Sequence, residues 1–465
     1  MMSATALRAG AAPSASMEVD GAAVRWRDVF RLGLGQIAIG MVAALMMSTL
    51  NRVMVVELGL PAAVPSALVA VHFAVQLGRA RLGFASDRSG RRAPWVIGGG
   101  ALLAVGATLA AMATALMATR RAAGLALAVV AYALIGLGLS ASGTALLAVA
   151  AERVPARRLG AVAAALWILM IVGIAGSAGV TGALLDPFSL DRLVLVAAGV
   201  GAVAFVLSVL SVSGGLARRT DRARGPGVAT GILAAPPVRF ADAVRAALAE
   251  PATRRFVGFV FLAMLAFSAQ DLILEPFAGT VFGLTPGQTT QLGGMQNGGV
   301  LLGMLGAAWL STRVGTLRAW AAGGCLASAL AFVALSQTPA IGSVAALKAV
   351  VLVLGVSNGV FTVGGVGSMM ALTVRADRAE TGLRLGIFGA AQGVAYGIGG
   401  FAGGAASDVA RYLLGSPAAG YAAVFVAEAV LFAGAAWMAL RSAPEASARE
   451  VRAAERGDAL VAVLR

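Results

Sequence analysis

The chain has 465 residues, of which 59% are hydrophobic and only 12% charged, and 61 of them are glycine. Because charged residues are about half as frequent as in soluble domains, this composition excludes an ordinary water-soluble fold. The net charge of +15 comes from arginines grouped between apolar runs, which indicates membrane topology rather than a nucleic-acid-binding face.

The N-terminal segment, residues 1–30, is rich in Ala, Ser and Gly and lacks the continuous apolar region of a secretory signal, so we expect a cytoplasmic tail. Beyond it, apolar stretches of about 20 residues recur, each long enough to cross ~30 Å of hydrocarbon as a helix. The sequence predicts twelve spans, at residues 33–56, 62–83, 94–118, 124–150, 160–184, 192–213, 256–282, 289–311, 318–337, 345–372, 385–407 and 419–440.

These spans predict an all-α polytopic membrane protein built from two six-helix halves, residues 31–214 and 256–441. The longest polar stretch, 215–255, is then a cytoplasmic linker, and 442–465 a cytoplasmic C-terminal tail. With the N-terminus inside, 30 of the 36 basic residues fall on cytoplasmic segments. We therefore expect a multi-pass protein of the cytoplasmic (inner) membrane with both termini in the cytoplasm.

Span two carries a polar stripe. His72, Gln76 and Arg79 are spaced by four and three residues, which places them on one helical face towards protein or a cavity. A single histidine excludes a multi-histidine metal site, although a lone imidazole is able to bind one ligand. The alternative is a packed histidine bonded to a neighbouring helix.

The loop after span two has the pattern G-x-x-x-D-R-x-G-R-R, formed by Gly83, Asp87, Arg88, Gly90, Arg91 and Arg92. A glycine permits close helix approach, an aspartate can meet a helix N-terminus, and arginines keep the turn on the cytoplasmic side. The pattern resembles the loop motif of the major facilitator superfamily, which implies that superfamily's twelve-helix fold. The alternative is an ordinary basic loop.

Two landmarks recur in the second half at almost one offset. Arg313-Val-Gly315 after span eight weakly repeats the loop motif 225 residues after Arg88. Leu-Gly386 before span eleven stands 226 residues after Leu-Gly160 before span five. The shared offset indicates an internal repeat of six spans.

In the linker between the halves, Phe240–Leu248 has the apolar spacing of an amphipathic helix on the cytoplasmic face. This helix either docks a partner or braces the linker.

Span seven carries the paired acids Asp271 and Glu275, four residues apart on one helical face. Arg52, at a similar depth on span one, is the cation that we expect to pair with Glu275 across the two halves. The alternative is that these groups are solvated in the headgroup zone. The amides in later spans either line a central cavity or bond helices together, and they are Gln296, Asn297, Asn358 and Gln392.

Three segments resemble signatures of the PucC-like bacteriochlorophyll-delivery family. The first is Thr49–Leu58 and includes Asn51, Arg52 and Glu57. The second is Gln270–Gly283, which includes Gln270, Asp271, Glu275 and Pro276, and the third is Gly386–Gln392. The resemblance covers nearly the whole chain.

This resemblance implies a membrane protein of phototrophic bacteria that delivers or manages bacteriochlorophyll during light-harvesting complex assembly. Bacteriochlorophyll would then be cargo rather than an intrinsic cofactor, and His72 a candidate ligand of its magnesium. The implied partners are the lipid bilayer, the pigment, and antenna polypeptides or pigment-synthesis enzymes, with no nucleic acid.

A proton-coupled porter of a small apolar solute is the alternative function. A membrane enzyme of bacteriochlorophyll synthesis is disfavoured, because Asp271 and Glu275 are the only acidic pair inside the spans.

Overall fold

The computed structural model describes residues 26–79, 82, 86, 91–153, 156–213, 245, 248–311, 313–374 and 378–441. Over these residues the chain forms twelve long helices and no strand. This confirms the predicted all-α class and the number of its helices. The helices are α1 Trp26–Glu57, α2 Ala63–Gln76, α3 Ala93–Met117, α4 Arg121–Arg153, α5 Ala156–Leu184, α6 Leu190–Ser213, α7 Pro251–Phe282, α8 Pro286–Ser311, α9 Leu317–Ile341, α10 Val344–Val374, α11 Arg378–Leu414 and α12 Pro417–Arg441.

Over the described residues, nine helices are both long enough and apolar enough to cross a membrane. They are α1, α3–α7, α9, α10 and α12. The outward faces are apolar, as at Leu195, which is 73% exposed, and such a surface is stable only against lipid. Near the ends of α8 and α12, the guanidinium carbons of Arg313 and Arg441 lie 3.8 Å and 4.0 Å from the ring centroids of Trp309 and Trp437. Tryptophan and arginine at this depth are typical of a membrane interface.

Helices α1–α6 and α7–α12 each enclose a hydrophobic core. The two halves meet along two seams, where α2 packs against α11 and α5 packs against α8. We call the end of the bundle away from Trp26 and Arg441 the distal end. Several helices stop there at a glycine in the left-handed region, such as Gly283 after α7 with φ 67° and Gly342 after α9 with φ 65°.

Helix α1 begins at Trp26, inside the predicted tail, and its distal part is not a regular α-helix. Residues Leu45–Leu50 and Val53–Glu57 form π turns, in which backbone hydrogen bonds join residues five apart. Such turns widen the helix and turn its side chains relative to an α-helical register. They place the polar residues of the first family signature against α7 and α8.

The predicted linker helix Phe240–Leu248 lies almost wholly outside the described residues, as do Gly83, Asp87, Arg88 and Gly90 of the loop motif. Arg91 and Arg92 are described. The side chain of Arg92 is buried, and its Nη1 donates a hydrogen bond to Ser86 Oγ at 2.8 Å.

Candidate functional site

Polar side chains of α1 meet polar groups of α7 near the distal end. The distal cluster, as we name it, consists of Ser48, Asn51, Arg52, Glu57 and Glu275. Four of its members belong to the first family signature or its flank, and Glu275 belongs to the second. Side-chain hydrogen bonds of the cluster join the two halves, and its one ion pair lies within α1.

Arg52 is almost fully buried and pairs with Glu57, five residues further along its own helix. Its Nη2 also donates to the carbonyl oxygen of Leu284 at 2.6 Å, just beyond the end of α7. That carbonyl lies past the last turn of α7, where main-chain acceptors lack helical partners. Arg52 thus neutralises a carboxylate of its own half and caps a helix of the other.

The predicted direct ion pair between Arg52 and Glu275 is wrong, because no such pair forms between these two described residues. Glu275 instead accepts a hydrogen bond from Ser48 Oγ, although it remains close enough to Arg52 to feel its positive charge. Gly279 and Gly293 make room for these groups, since a Cβ at Gly279 would lie 3.0 Å from Arg52 Nε and one at Gly293 would collide with the Glu275 carboxylate.

Asn51 is explained by Pro276, which lies inside α7. A proline has no N–H, so the carbonyl oxygen four residues earlier, that of Leu272, has no helical donor. Asn51 Nδ2 donates to this oxygen at 2.6 Å. In a membrane, a carbonyl freed by proline needs a donor from a neighbouring helix, and Asn51 provides it.

We expect Asn51→Ala to lower the free energy of unfolding by about 1–3 kcal/mol, because the Leu272 carbonyl would remain buried without a donor. Adding Pro276→Ala restores the missing helical N–H, so the double variant should recover most of that loss. Thermal unfolding in detergent measures both effects. Asn297→Ala is the matched control, because Asn297 Nδ2 donates only within its own helix, to the Gly293 carbonyl at 3.0 Å. The explanation would be contradicted if the double variant lost as much free energy of unfolding as the two single variants together.

A second polar network bonds helices within the C-terminal half. Gln270 Oε1 accepts from Asn358 Nδ2 at 3.0 Å, and Asn358 Oδ1 accepts from Ser328 Oγ at 2.8 Å. These residues lie on α7, α10 and α9 and are fully buried. Asn358, a predicted cavity residue, therefore bonds helices together, which was the alternative interpretation.

The polar stripe on α2 lies on one helical face, as its spacing predicts. His72 is buried, with its Nε2 2.8 Å from Gln76 Nε2, and Gln76 Oε1 accepts from Arg79 Nη2 at 2.5 Å. Binding of a magnesium ion by His72 Nε2 would require Gln76 to move away. The arrangement fits the packed alternative better than a preformed ligand site.

The remaining predicted cavity residues are not brought together. Gln296 is buried near α10, where its backbone carbonyl contacts Gly355. Asn297 bonds within its own helix, as above, and Gln392 Nε2 lies 3.6 Å from Met264 Sδ. These three amides therefore do not form one polar site.

Asp271 and Glu275 act on each other electrostatically, but their other neighbours differ. Asp271 is half-buried and interacts electrostatically with Tyr396 on α11 and Glu428 on α12. Glu275 is bonded to Ser48 instead. The pair is thus divided between two environments and does not present the shared magnesium site that a prenyl-diphosphate enzyme requires. Sequence reasoning missed Glu428, although a lone acid in a membrane span is itself a signal.

Each seam between the halves is joined at the distal end by a carboxylate at a helix N-terminus. Asp408 on α11 accepts from the backbone N–H groups of Ala62 and Ala63, at 3.0 Å and 2.8 Å, where α2 begins. Asp186, after α5, accepts from Thr285 Oγ1 at 3.1 Å, where α8 begins. Asp408 follows Asp186 by 222 residues, close to the repeat offset, so these two contacts, the seam latches, are related by the internal repeat. Neither was predicted.

An apolar groove opens on the N-terminal half, beside the start of α3. Its volume is about 420 Å³, and its lining is almost wholly apolar. The lining residues are Leu82, Pro94, Trp95, Gly98, Gly99, Leu102, Leu137 and Ala141. Gly98 faces open space, since a Cβ placed there would meet nothing within 4 Å.

A family model described as "PUCC protein" matches residues 49–444. The chain is 45% identical over 419 residues to the "Bacteriochlorophyll synthase 44.5 kDa chain" of Rhodobacter capsulatus, covering 89% of this chain and 95% of that protein. It is 29% identical over 419 residues to "Protein PucC" of Cereibacter sphaeroides, covering 87% and 89%.

Among solved structures, the fold is similar to that of a D-xylose-proton symporter, with a TM-score of 0.68, 16% identity, and 90% and 97% of the two chains covered. It is also similar to the nucleoside transporter NupG, with a TM-score of 0.67, 14% identity, and 90% and 100% covered. These likenesses confirm the major facilitator fold. At such identities they carry no information about substrate.

Proposed function

The chain belongs to the PucC family, and on that premise we propose that it delivers or manages bacteriochlorophyll during light-harvesting complex assembly in a phototrophic bacterium. It is a multi-pass membrane protein of the major facilitator fold, related to proteins named for bacteriochlorophyll and for PucC. Pigment is then cargo, and antenna polypeptides or pigment-synthesis enzymes are the partners that receive or supply it.

The observation that carries the proposal is the apolar groove on a chain of this family. Bacteriochlorophyll has a long hydrocarbon tail, and a groove of about 420 Å³ with an apolar lining fits such a tail better than a polar solute. The groove opens at the protein surface, so a pigment would be able to leave the bilayer without crossing the bundle. Its magnesium ligand would come from the receiving antenna protein or from water, because Gln76 occupies His72 Nε2.

We propose further that the chain is not itself an enzyme, despite the word "synthase" in the name of one relative. The acidic pair that a diphosphate-dependent synthase would need is divided, since Glu275 bonds to Ser48 and Asp271 is near Glu428. Handling of pigment requires a binding surface and a conformational change, and a major facilitator fold supplies both.

The experiment is deletion of the gene, followed by near-infrared absorption spectra of the membranes and quantification of pigment that co-purifies with the reintroduced protein. Deletion is expected to remove most antenna absorption, and the unaltered gene should restore it. Gly98→Phe fills the groove and should reduce co-purified pigment about tenfold, since overfilling an apolar site costs about 1–3 kcal/mol.

Gly199→Phe is the matched control, because Gly199 on α6 also faces open space but lies away from the groove. It should behave like the unaltered protein. Normal antenna absorption in the deletion strain would refute the proposed function. Equal pigment recovery by the two phenylalanine variants would remove the groove from it.

The proposal places the chain in the cytoplasmic membrane with both termini in the cytoplasm. Because 30 of the 36 basic residues then lie inside, reporter fusions after Arg224 and after Arg449 should both give cytoplasmic signals. Alkaline phosphatase activity, which requires export, should be absent at both sites. A periplasmic signal at either site would overturn the topology.

A further inference from the structure

Glu428 lies within the aromatic core of the C-terminal half. It is 2% exposed and is flanked on the buried face of α12 by Phe425 and Phe432, each also buried. Both phenylalanine rings contact Phe332, with centroid separations of 6.1 Å and 5.6 Å. The carboxyl group is therefore among aromatic rings in the middle of a membrane helix.

Neither carboxyl oxygen of Glu428 has a hydrogen-bond partner among the described residues. Buried polar groups normally have partners, and an ionised carboxylate in a core of this kind is strongly disfavoured. A bound proton removes the charge without any protein partner. The missing partner thus points to a proton rather than to a structural ion pair.

Asp271 is the acidic residue of α7 that lies nearest to Glu428 in depth. Helix α7 packs against α12, and Asp271 lies as many residues from the distal end of α7 as Glu428 does from the distal end of α12. Asp271 is also close enough to Glu428 for its charge to act on that carboxyl group. The two carboxyl groups are therefore at a similar depth. Asp271 is half-buried and Glu428 is 2% exposed, so Asp271 is the more accessible of the two carboxyl groups.

The other titratable groups on the packed elements do not neutralise this pair. Helix α11 contributes Tyr396, next to Asp271, and its Arg411 is occupied by Asp408 and the Tyr421 ring of α12. Helix α9 contributes only the buried thiol of Cys325 to the interior. On α7, Glu275 is bonded to Ser48 and is a further acid close to Asp271, while Arg52 of α1 is paired with Glu57.

We infer that Glu428 and Asp271 form a proton-binding site in the C-terminal half, in which Asp271 exchanges protons with water and Glu428 stores one. This site goes beyond the proposed pigment function and is independent of it, because a chain that binds no pigment would still hold the proton. Binding of a proton neutralises Glu428 in the core. Its release leaves two negative charges, those of Glu428 and Asp271, near each other. Proton occupancy therefore has a direct energetic effect on the packing of α7 against α12.

The test is infrared difference spectroscopy of the purified protein as the pH is raised from about 5 to 9, following the carbonyl band of protonated carboxylic acids. The unaltered protein should show such a band that disappears with rising pH, and Glu428→Gln should lack it. Asp271→Asn should shift the disappearance of the band to lower pH by about one unit, because a neighbouring negative charge no longer favours the protonated form.

Asp191→Asn is the control, since Asp191 is an exposed carboxylate in the first turn of α6 and should leave the band unchanged. If Glu428→Gln does not fold, the shift caused by Asp271→Asn in a chain that retains Glu428 decides the question. A band that persists at alkaline pH and ignores Asp271→Asn would mean a permanently neutral structural acid and would overturn the inference. A carbonyl band that changes in intensity at fixed pH when sodium replaces choline would overturn the inference, because the site would then bind a metal cation.

Discussion

Replacing Arg52 with glutamine is expected to destabilise the protein by about 3–5 kcal/mol, enough to prevent most of it from accumulating in the membrane. Arg52 is buried, pairs with Glu57 and caps the Leu284 carbonyl. Its loss leaves Glu57 without its cation, Leu284 without a donor, and Glu275 without a nearby positive charge. The measurements are the amount of protein in membranes and its unfolding temperature in detergent.

Double variants distinguish the pair that the structure contains from the pair expected from sequence. Arg52→Gln combined with Glu57→Gln should recover more than about 1 kcal/mol of the summed single losses, because the two side chains are in direct contact. Arg52→Gln combined with Glu275→Gln should recover less, since Glu275 bonds to Ser48. The opposite order of recovery would mean that Arg52 and Glu275 are the functional pair.

The partner of Arg52 was predictable only in part. The sequence indicates that Arg52 needs an acid and points to Glu275, but residues five apart in an α-helix point about 140° away from each other, which disfavours Glu57. The π turn over Val53–Glu57 changes that register and brings the two side chains onto one side. No periodicity argument on an ideal helix anticipates such a turn.

The helices and their division into two sets of six were predictable because hydrocarbon requires long apolar segments and the longest polar stretch separates the two sets. Contacts between halves were not. Asn51 and Pro276 were both recognised as signature residues, but the carbonyl of Leu272 connects them only once α1 is packed against α7. Likewise, Asp186 and Asp408 are ordinary polar residues near span ends until the seams bring them to helix N-termini.

Glu428 could have been found from the sequence. It occupies the same helical stripe as the apolar residues Phe425 and Phe432, so its face was predictable from spacing alone. An acid on a buried apolar stripe of a membrane helix marks a functional position by default. The spacing does not show whether another helix supplies a cation to Glu428. That question is answered only by the packing of α7, α9 and α11 around α12.

Removing the carboxylate of Asp408 is expected to open the distal end of the α2–α11 seam. In a Cys325→Ser background, which removes the native thiol, a cysteine introduced at Ser66 reports on this seam. Ser66 is buried on α2, and Gly404 of α11 packs against it. Asp408→Ala deprives two backbone N–H groups of their acceptor and frees Arg411, at a cost of about 0.5–2 kcal/mol for the lost cap.

Maleimide labelling of the introduced cysteine in detergent should therefore become about tenfold faster in Asp408→Ala, because about 1.4 kcal/mol corresponds to a tenfold change in the open fraction. Adding Asp186→Ala releases the second seam latch and should raise the rate again, by less, since Asp186 is more exposed and makes one such bond. Asp191→Asn removes an acidic charge at the same end without bridging the halves, and it should leave the rate unchanged. If Asp191→Asn accelerates labelling as much as Asp408→Ala does, the distal end responds to net charge, and the seam latches do not hold the halves together.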